Sequence, residues 1–309
     1  AVVCLAVKVL TTKYTMREFL ILYLLLAVSA VCWLRVGEKN VLFITMSLWG
    51  MKNIRFDTLM KSTVWIRVIG TLLMIMLAFC GVLDLQANTA VATDFSIYSV
   101  YAFGYIKSNA AYYMIFVTIA IVLYIQYEKL NFWYFAVSAA VCLLAFEATF
   151  CRTGLIVFFA MWALIILDKL SKNKKYYQLI TMTTAGVFII SWIWMVIYKI
   201  NNTFMFRINR MLSGRIEITN NYYKAYGMTL FPKTVNIFWD GAIFTILFVY
   251  WASRSQWKMY CNGYYREIIF FTIFAVYAVL EQSPMNPILN PFILFTANLV
   301  YKNYTVRER

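Results

Sequence analysis

Two arginines stand where a guanidinium could do chemistry. Arg152 lies in "TFCRTGLIV", between the apolar runs "FWYFAVSAAVCLLAFEAT" (132–149) and "LIVFFAMWALIIL" (155–167). Arg215 follows the Ser213-Gly214 break in "RINRMLSGRIEI", with Arg207 and Arg210 just upstream. A planar guanidinium presents paired donors to phosphate oxygens, so Arg152 and the arginine cluster could converge on one pyrophosphate. Each also has an ordinary explanation. Arg152 could anchor a helix end among lipid headgroups, and Arg215 could be a solvated charge on an interfacial helix. Phe204, Ile208, Met211 and Leu212 recur at helical spacing, and Ser213 is placed to N-cap a following helix through Tyr226. In that helix's first turn Arg215 opposes the dipole by about 0.3–1 kcal/mol. A bound anion, held by the same backbone N–H groups and the guanidinium, reverses the sign.

The elements that must position these residues are apolar. The chain of 309 residues is 63% hydrophobic and 13% charged, against about 25% charged in soluble domains. Runs near the ~20 apolar residues that cross hydrocarbon recur along it. The expected fold is an all-α, polytopic transmembrane helical bundle of about eleven segments, near 1–10, 19–35, 41–51, 62–83, 109–126, 132–149, 154–168, 177–198, 241–253, 267–281 and 288–301. It is read as a single membrane domain, 1–309, because no repeat or Pro/Gly linker divides it. The opening "AVVCLAVKVL" suggests that the sequence starts partway through a helix.

Lysines and arginines on alternate connections, such as Lys52, Arg55 and Lys61 or Lys169, Lys172, Lys174 and Lys175, mark the cytoplasmic face. The opposite face carries residues 84–107 and a large extracytoplasmic loop, 199–240, expected to contain amphipathic helices. That loop has Lys199, Arg207, Arg210, Arg215, Lys224 and Lys233 against Glu217 and Asp240, so an anionic partner is expected there. The net charge of +15, distributed this way, points to membrane lipid and an anionic substrate, not to nucleic acid. The six cysteines lie mostly in apolar runs without a CxxC pair, and histidine is absent. They are read as packing residues, with no metal site and no cofactor. Tyr98, Tyr101, Tyr105, Tyr112 and Tyr113, and likewise Tyr222, Tyr223 and Tyr226, are read as an interfacial belt.

The same residues carry a resemblance. "CRTGLIVFFAMWALII" resembles the "SRTG" turn and following helix of bacterial polysaccharide polymerases of the Wzy type, in the O-antigen ligase and polymerase superfamily. "NRMLSGRIEITNNYYKAYGMTLFP" is similar to the "LLSGR" and "GxxLFG" segments of their outer loop. "TKYTMREFLILYLLL", "GMKNIRFDTLMK", "YSVYAFGYIKSN" and "NPILNPFILFTANLVYKNY" resemble the family in the same order, over nearly the whole chain. The resemblance implies a metal-independent, inverting glycosyl transfer on the outer face of the bacterial inner (plasma) membrane. Its substrate would be an undecaprenyl-pyrophosphate-linked oligosaccharide, and a chain-length-regulating co-polymerase is a possible partner. Arg152 matches the SRTG arginine and Arg215 the SGR arginine, with Arg210 and Arg207 in support.

With no histidine, a base for the acceptor hydroxyl falls to a carboxylate. Glu147, near the outer end of its run, and Glu281, at the end of "FAVYAVLEQ", are the candidates, with Asp240 behind them. Glu147 has a second reading as an ion-pair partner of Arg152. Two departures stand out. Lys107 occupies the histidine position of the family's "FGxxHPN", and "FPKTVNIFWD" runs straight into "GAIFTILFVYW". That junction leaves a helix of about 13 residues before Arg254, so residues missing between Asp240 and Gly241 are expected. Two rival readings remain. One is an O-antigen ligase, which tends to rely on an outer-loop histidine; the other is a flippase or transporter, which calls for charges near the bilayer midplane.

Overall fold

A computed structural model of the chain describes residues 2–37, 39–91, 97–199, 201–212, 214–227, 242–280 and 290–301. Helix dominates, as apolar runs demand where the only partners for backbone N–H and C=O groups lie within the segment. The helices are α1 (Val2–Thr11), α2 (Met16–Val36), α3 (Asn40–Gly50), α4 (Phe56–Phe79), α5 (Ser108–Ile125), α6 (Phe132–Thr149), α7 (Arg152–Leu170) and α8 (Tyr177–Ile197). They continue with α9 (Thr203–Met211), α10 (Arg215–Tyr226), α11 (Ala242–Cys261), α12 (Tyr265–Leu280) and, after a 3-10 turn at Pro291–Thr296, α13 (Ala297–Val300).

Six helical stretches, Met16–Arg35, Phe56–Phe79, Ser108–Ile125, Phe132–Thr149, Arg152–Leu170 and Lys174–Ile197, are long and apolar enough to cross a membrane. Their outward faces carry Trp65, Ile66, Ile69, Leu72, Trp133, Leu144 and Leu179, all exposed. So much exposed apolar surface suits hydrocarbon better than water. The other expected segments fall short for physical reasons. Helix α3 has 11 residues, a rise of about 16 Å. Helix α11 reaches 20 residues only by running through Arg254 and Lys258, and α12 has 16.

Not all of the chain is helical. Strands β1 (Gln86–Val91) and β2 (Ile97–Tyr101) pair antiparallel, with a register irregularity between Gln86 and Asn88. The all-α expectation therefore needs correcting within 84–107. Short β-branched and aromatic stretches, "IYSVY" above all, favour a pleated pair over a loop.

The chain divides into two compact units. One comprises Ala1–Leu59, Lys175–Tyr198 and Ile218–Arg309. Within it α8 packs on α11 and α12, and α2 on α3. Phe292 stacks between Phe270 and Phe274, at 5.4 and 4.7 Å between ring centroids. The other unit comprises Met60–Lys174 and Lys199–Glu217. There α5, α6 and α7 pack on one another, and β2 rests against α6. Trp162 donates its indole N–H to Ser138 Oγ at 3.0 Å, joining α7 to α6 through a buried polar pair. At the Lys169 end of α7, Asp168 accepts from Tyr127 and from Lys174, both at 2.6 Å.

Candidate functional site

The candidate site lies in the second unit and begins with the two-residue link between α6 and α7. Thr149 ends α6 with its hydroxyl bonded back to Ala145 O at 2.6 Å. Phe150 then adopts a left-handed conformation, φ 55° and ψ 32°, while its N–H donates to Phe146 O. Glycine usually fills such a C-terminal position because a Cβ is crowded there. Cys151 is buried, and Arg152 opens α7 as its first residue.

This turn fixes the guanidinium. The Phe150 ring stacks on Phe146, 5.5 Å between centroids and 21° between planes. The Arg152 guanidinium carbon lies 4.8 Å from the centroid of the Phe150 ring, within cation–π range. Its Nη1 donates to the backbone carbonyl of Arg210 at 3.5 Å, a long and weak bond. Thus α7 and α9 meet at Arg152, across a sequence gap too wide for any local pattern to span.

Helix α9 starts at Asn202, whose side chain accepts from Met205 N at 3.1 Å. Arg210 lies over the ring of Phe206, one helical turn earlier, with 5.1 Å from guanidinium carbon to centroid. The turn into α10 is locked by Asn209, which is 2% exposed. Asn209 Oδ1 accepts from Glu217 N at 3.0 Å, its Nδ2 donates to Glu217 Oε2 at 3.1 Å, and its carbonyl accepts from Gly214 N at 2.8 Å. Ser213, expected as the N-cap, lies outside the described residues; the third N–H of α10 is taken by Asn209. Arg215 begins α10 half-buried, and Glu217 in the same turn offsets its unfavourable interaction with the helix dipole.

Arg152 and Arg210 are therefore brought into contact, and Arg215 follows through the turn that Asn209 closes. Arg207 is exposed on α9. Glu147 is exposed on α6 and makes no ion pair with a described residue, so the structural pairing with Arg152 is not formed. Glu281 and Asp240 lie outside the described residues. Lys107 is exposed just before α5. Two members of the expected aromatic belt belong elsewhere: Tyr112 and Tyr113 are 0% and 2% exposed. Helix α5 packs between its neighbours, which buries the tyrosines of its first turns. Cys32, Cys142 and Cys151 are buried, as packing residues should be, whereas Cys80 and Cys261 are exposed. Among the described residues, no three cysteine, aspartate or glutamate side chains converge on a point where a metal could bind.

Four residues of this site carry no mark in the sequence as chemistry: Phe150, Phe206, Asn209 and Glu217. Only the Phe206–Arg210 spacing of one helical turn offered a signal. No family model, curated protein or solved structure matches the chain.

Proposed function

We propose that this chain is a membrane glycosyltransferase, a lipid-linked polysaccharide polymerase that holds a leaving pyrophosphate with arginines in place of a metal. The observation that carries the reading is the meeting of Arg152 with Arg210, at the link between two helices long and apolar enough to cross a membrane. In the proposed reaction, the acceptor hydroxyl of one lipid-linked repeat unit attacks the anomeric carbon of another glycan. The bond from that carbon to the pyrophosphate oxygen breaks with inversion. The hydroxyl proton passes to a carboxylate, Glu147 or Glu281, and undecaprenyl pyrophosphate leaves with the bonding electrons. Negative charge grows on the leaving oxygen, and fixed cations there lower the barrier most. Arg152 and Arg215 are assigned to the pyrophosphate, with Arg210 and Arg207 in support. The site would face the periplasm or cell exterior of a bacterial plasma membrane. A ligase role fits less well because the chain contains no histidine.

A transporter of the same lipid-linked sugar is the second reading, favoured by Arg67. This arginine is 6% exposed midway along α4, with Nη1 3.8 Å from Met114 Sδ, and intramembrane charges often mark a translocation path. One experiment separates the two. Liposomes holding the protein and a purified undecaprenyl-pyrophosphate repeat unit, without divalent metal, should build a polymer ladder. Arg152→Ala and Arg215→Ala should each slow it about 100-fold or more at matched folded amounts. Ladders at the native rate in both variants would remove the arginines from the site. Transbilayer movement of the lipid without any ladder would replace the polymerase with the transporter.

A further inference from the structure

The Phe150 backbone is a local anomaly. A bulky side chain in the left-handed region is uncommon, and such outliers gather where the surrounding structure has a use for them. Glycine would make the same turn without steric cost, so the turn alone does not account for phenylalanine. The side chain does. Its ring packs on Phe146 of α6, and the Arg152 guanidinium carbon lies 4.8 Å from the ring centroid, so one ring joins α6 to the cation. Helix α6 thus braces the guanidinium from which Nη1 donates to the Arg210 carbonyl.

We propose that Phe150 is a positioning residue for the transfer reaction, one that presents Arg152 to the leaving pyrophosphate through the strained turn and the ring stack. This rests on the polymerase reading, since the reaction served is the one proposed there. The expected signature is kinetic. Arg152 acts on charge that develops as the bond breaks, so loss of its support lowers kcat more than it alters KM for the lipid-linked donor.

The test compares Phe150→Leu, Phe150→Gly and Phe150→Tyr in the full chain, with two readouts. The first is the rate at which phenylglyoxal modifies Arg152, followed by mass spectrometry of the intact site peptide. The second is polymer formation, resolved into kcat and KM. Leucine and glycine should each speed Arg152 modification and lower kcat about tenfold, while tyrosine, which keeps the ring, stays near native in both. Glycine accepts the left-handed turn, so its effect reports on the ring and not on the fold. Native modification rates and native kcat in the leucine and glycine variants would overturn the proposal, as would an equal fall of kcat in the tyrosine variant. Failure of the polymerase reading looks different: the native chain would then build no ladder at all, while leucine at position 150 still speeds modification of Arg152.

Discussion

Arg266 and Arg152 each stand at the start of an apolar helix, in different units of the molecule, and they are held in opposite ways. Arg266, 7% exposed, donates from Nη2 to Asp57 Oδ1 at 2.9 Å and to Glu267 Oε1 at 3.0 Å, and Glu267 is fully buried. Its charge is consumed by carboxylates. Arg152 is half-buried, lies on an aromatic ring and donates to a backbone carbonyl, neither of which bears a charge. Arg266 is fastened to carboxylates on two helices, whereas the contacts described for Arg152 are a ring and a main-chain oxygen.

Breaking each arrangement should therefore show up in different measurements. The largest effect on stability is expected at the ion pair. Arg266→Ala leaves Glu267 buried without its cation and should cost about 3–5 kcal/mol, read as a lower denaturation midpoint in detergent. Arginine modification at position 152 in that variant should be unchanged once folded protein is selected. A smaller effect is expected from Asn209→Ala, which removes the acceptor for Glu217 N and should cost about 0.5–2 kcal/mol. Hydrogen exchange should locate that loss in the first turn of α10, beside Arg215. The smallest is expected at Glu147, exposed and without an ion pair among the described residues. Glu147→Gln should change stability by less than about 0.5 kcal/mol. Its polymerisation rate then assigns the base, because a loss of about 100-fold places it at Glu147 and a native rate moves it to Glu281.

Much of the frame was legible in the sequence because period and length suffice for long apolar helices. The run 132–149 corresponds residue for residue to α6, and 177–198 exceeds α8 only by its C-cap. Legibility ended where the deciding interaction was not local. The hairpin depends on pairing between strands, and neither strand is long enough to announce itself. Tyr112 and Tyr113 resemble interfacial tyrosines until tertiary packing buries them, Tyr112 beside Cys142 of α6 and Cys151, Tyr113 beside Arg67 of α4. In the site, the place of Arg215 in a first turn could be read from the Ser213-Gly214 break, whereas Arg152, expected in the turn ahead of 154–168, is the first residue of α7. Their supports could not be read. No propensity rule places phenylalanine in a left-handed turn, and a cap normally comes from the residue beside the helix, as Ser213 suggested, not from Asn209 in the helix before.

The oxygen that receives Arg152 belongs to the main chain of residue 210. Any amino acid at that position supplies the same carbonyl, whereas the cation standing on Phe206 is particular to arginine. Position 210 thus holds two inheritances of unequal permanence. Drift could strip away its side chain and leave the handhold for Arg152 intact, so variability at 210 among descendants of this chain would say nothing against the contact. What the contact cannot survive is a shift in backbone register, and the guardian of register is Asn209, the neighbour with no charge at all.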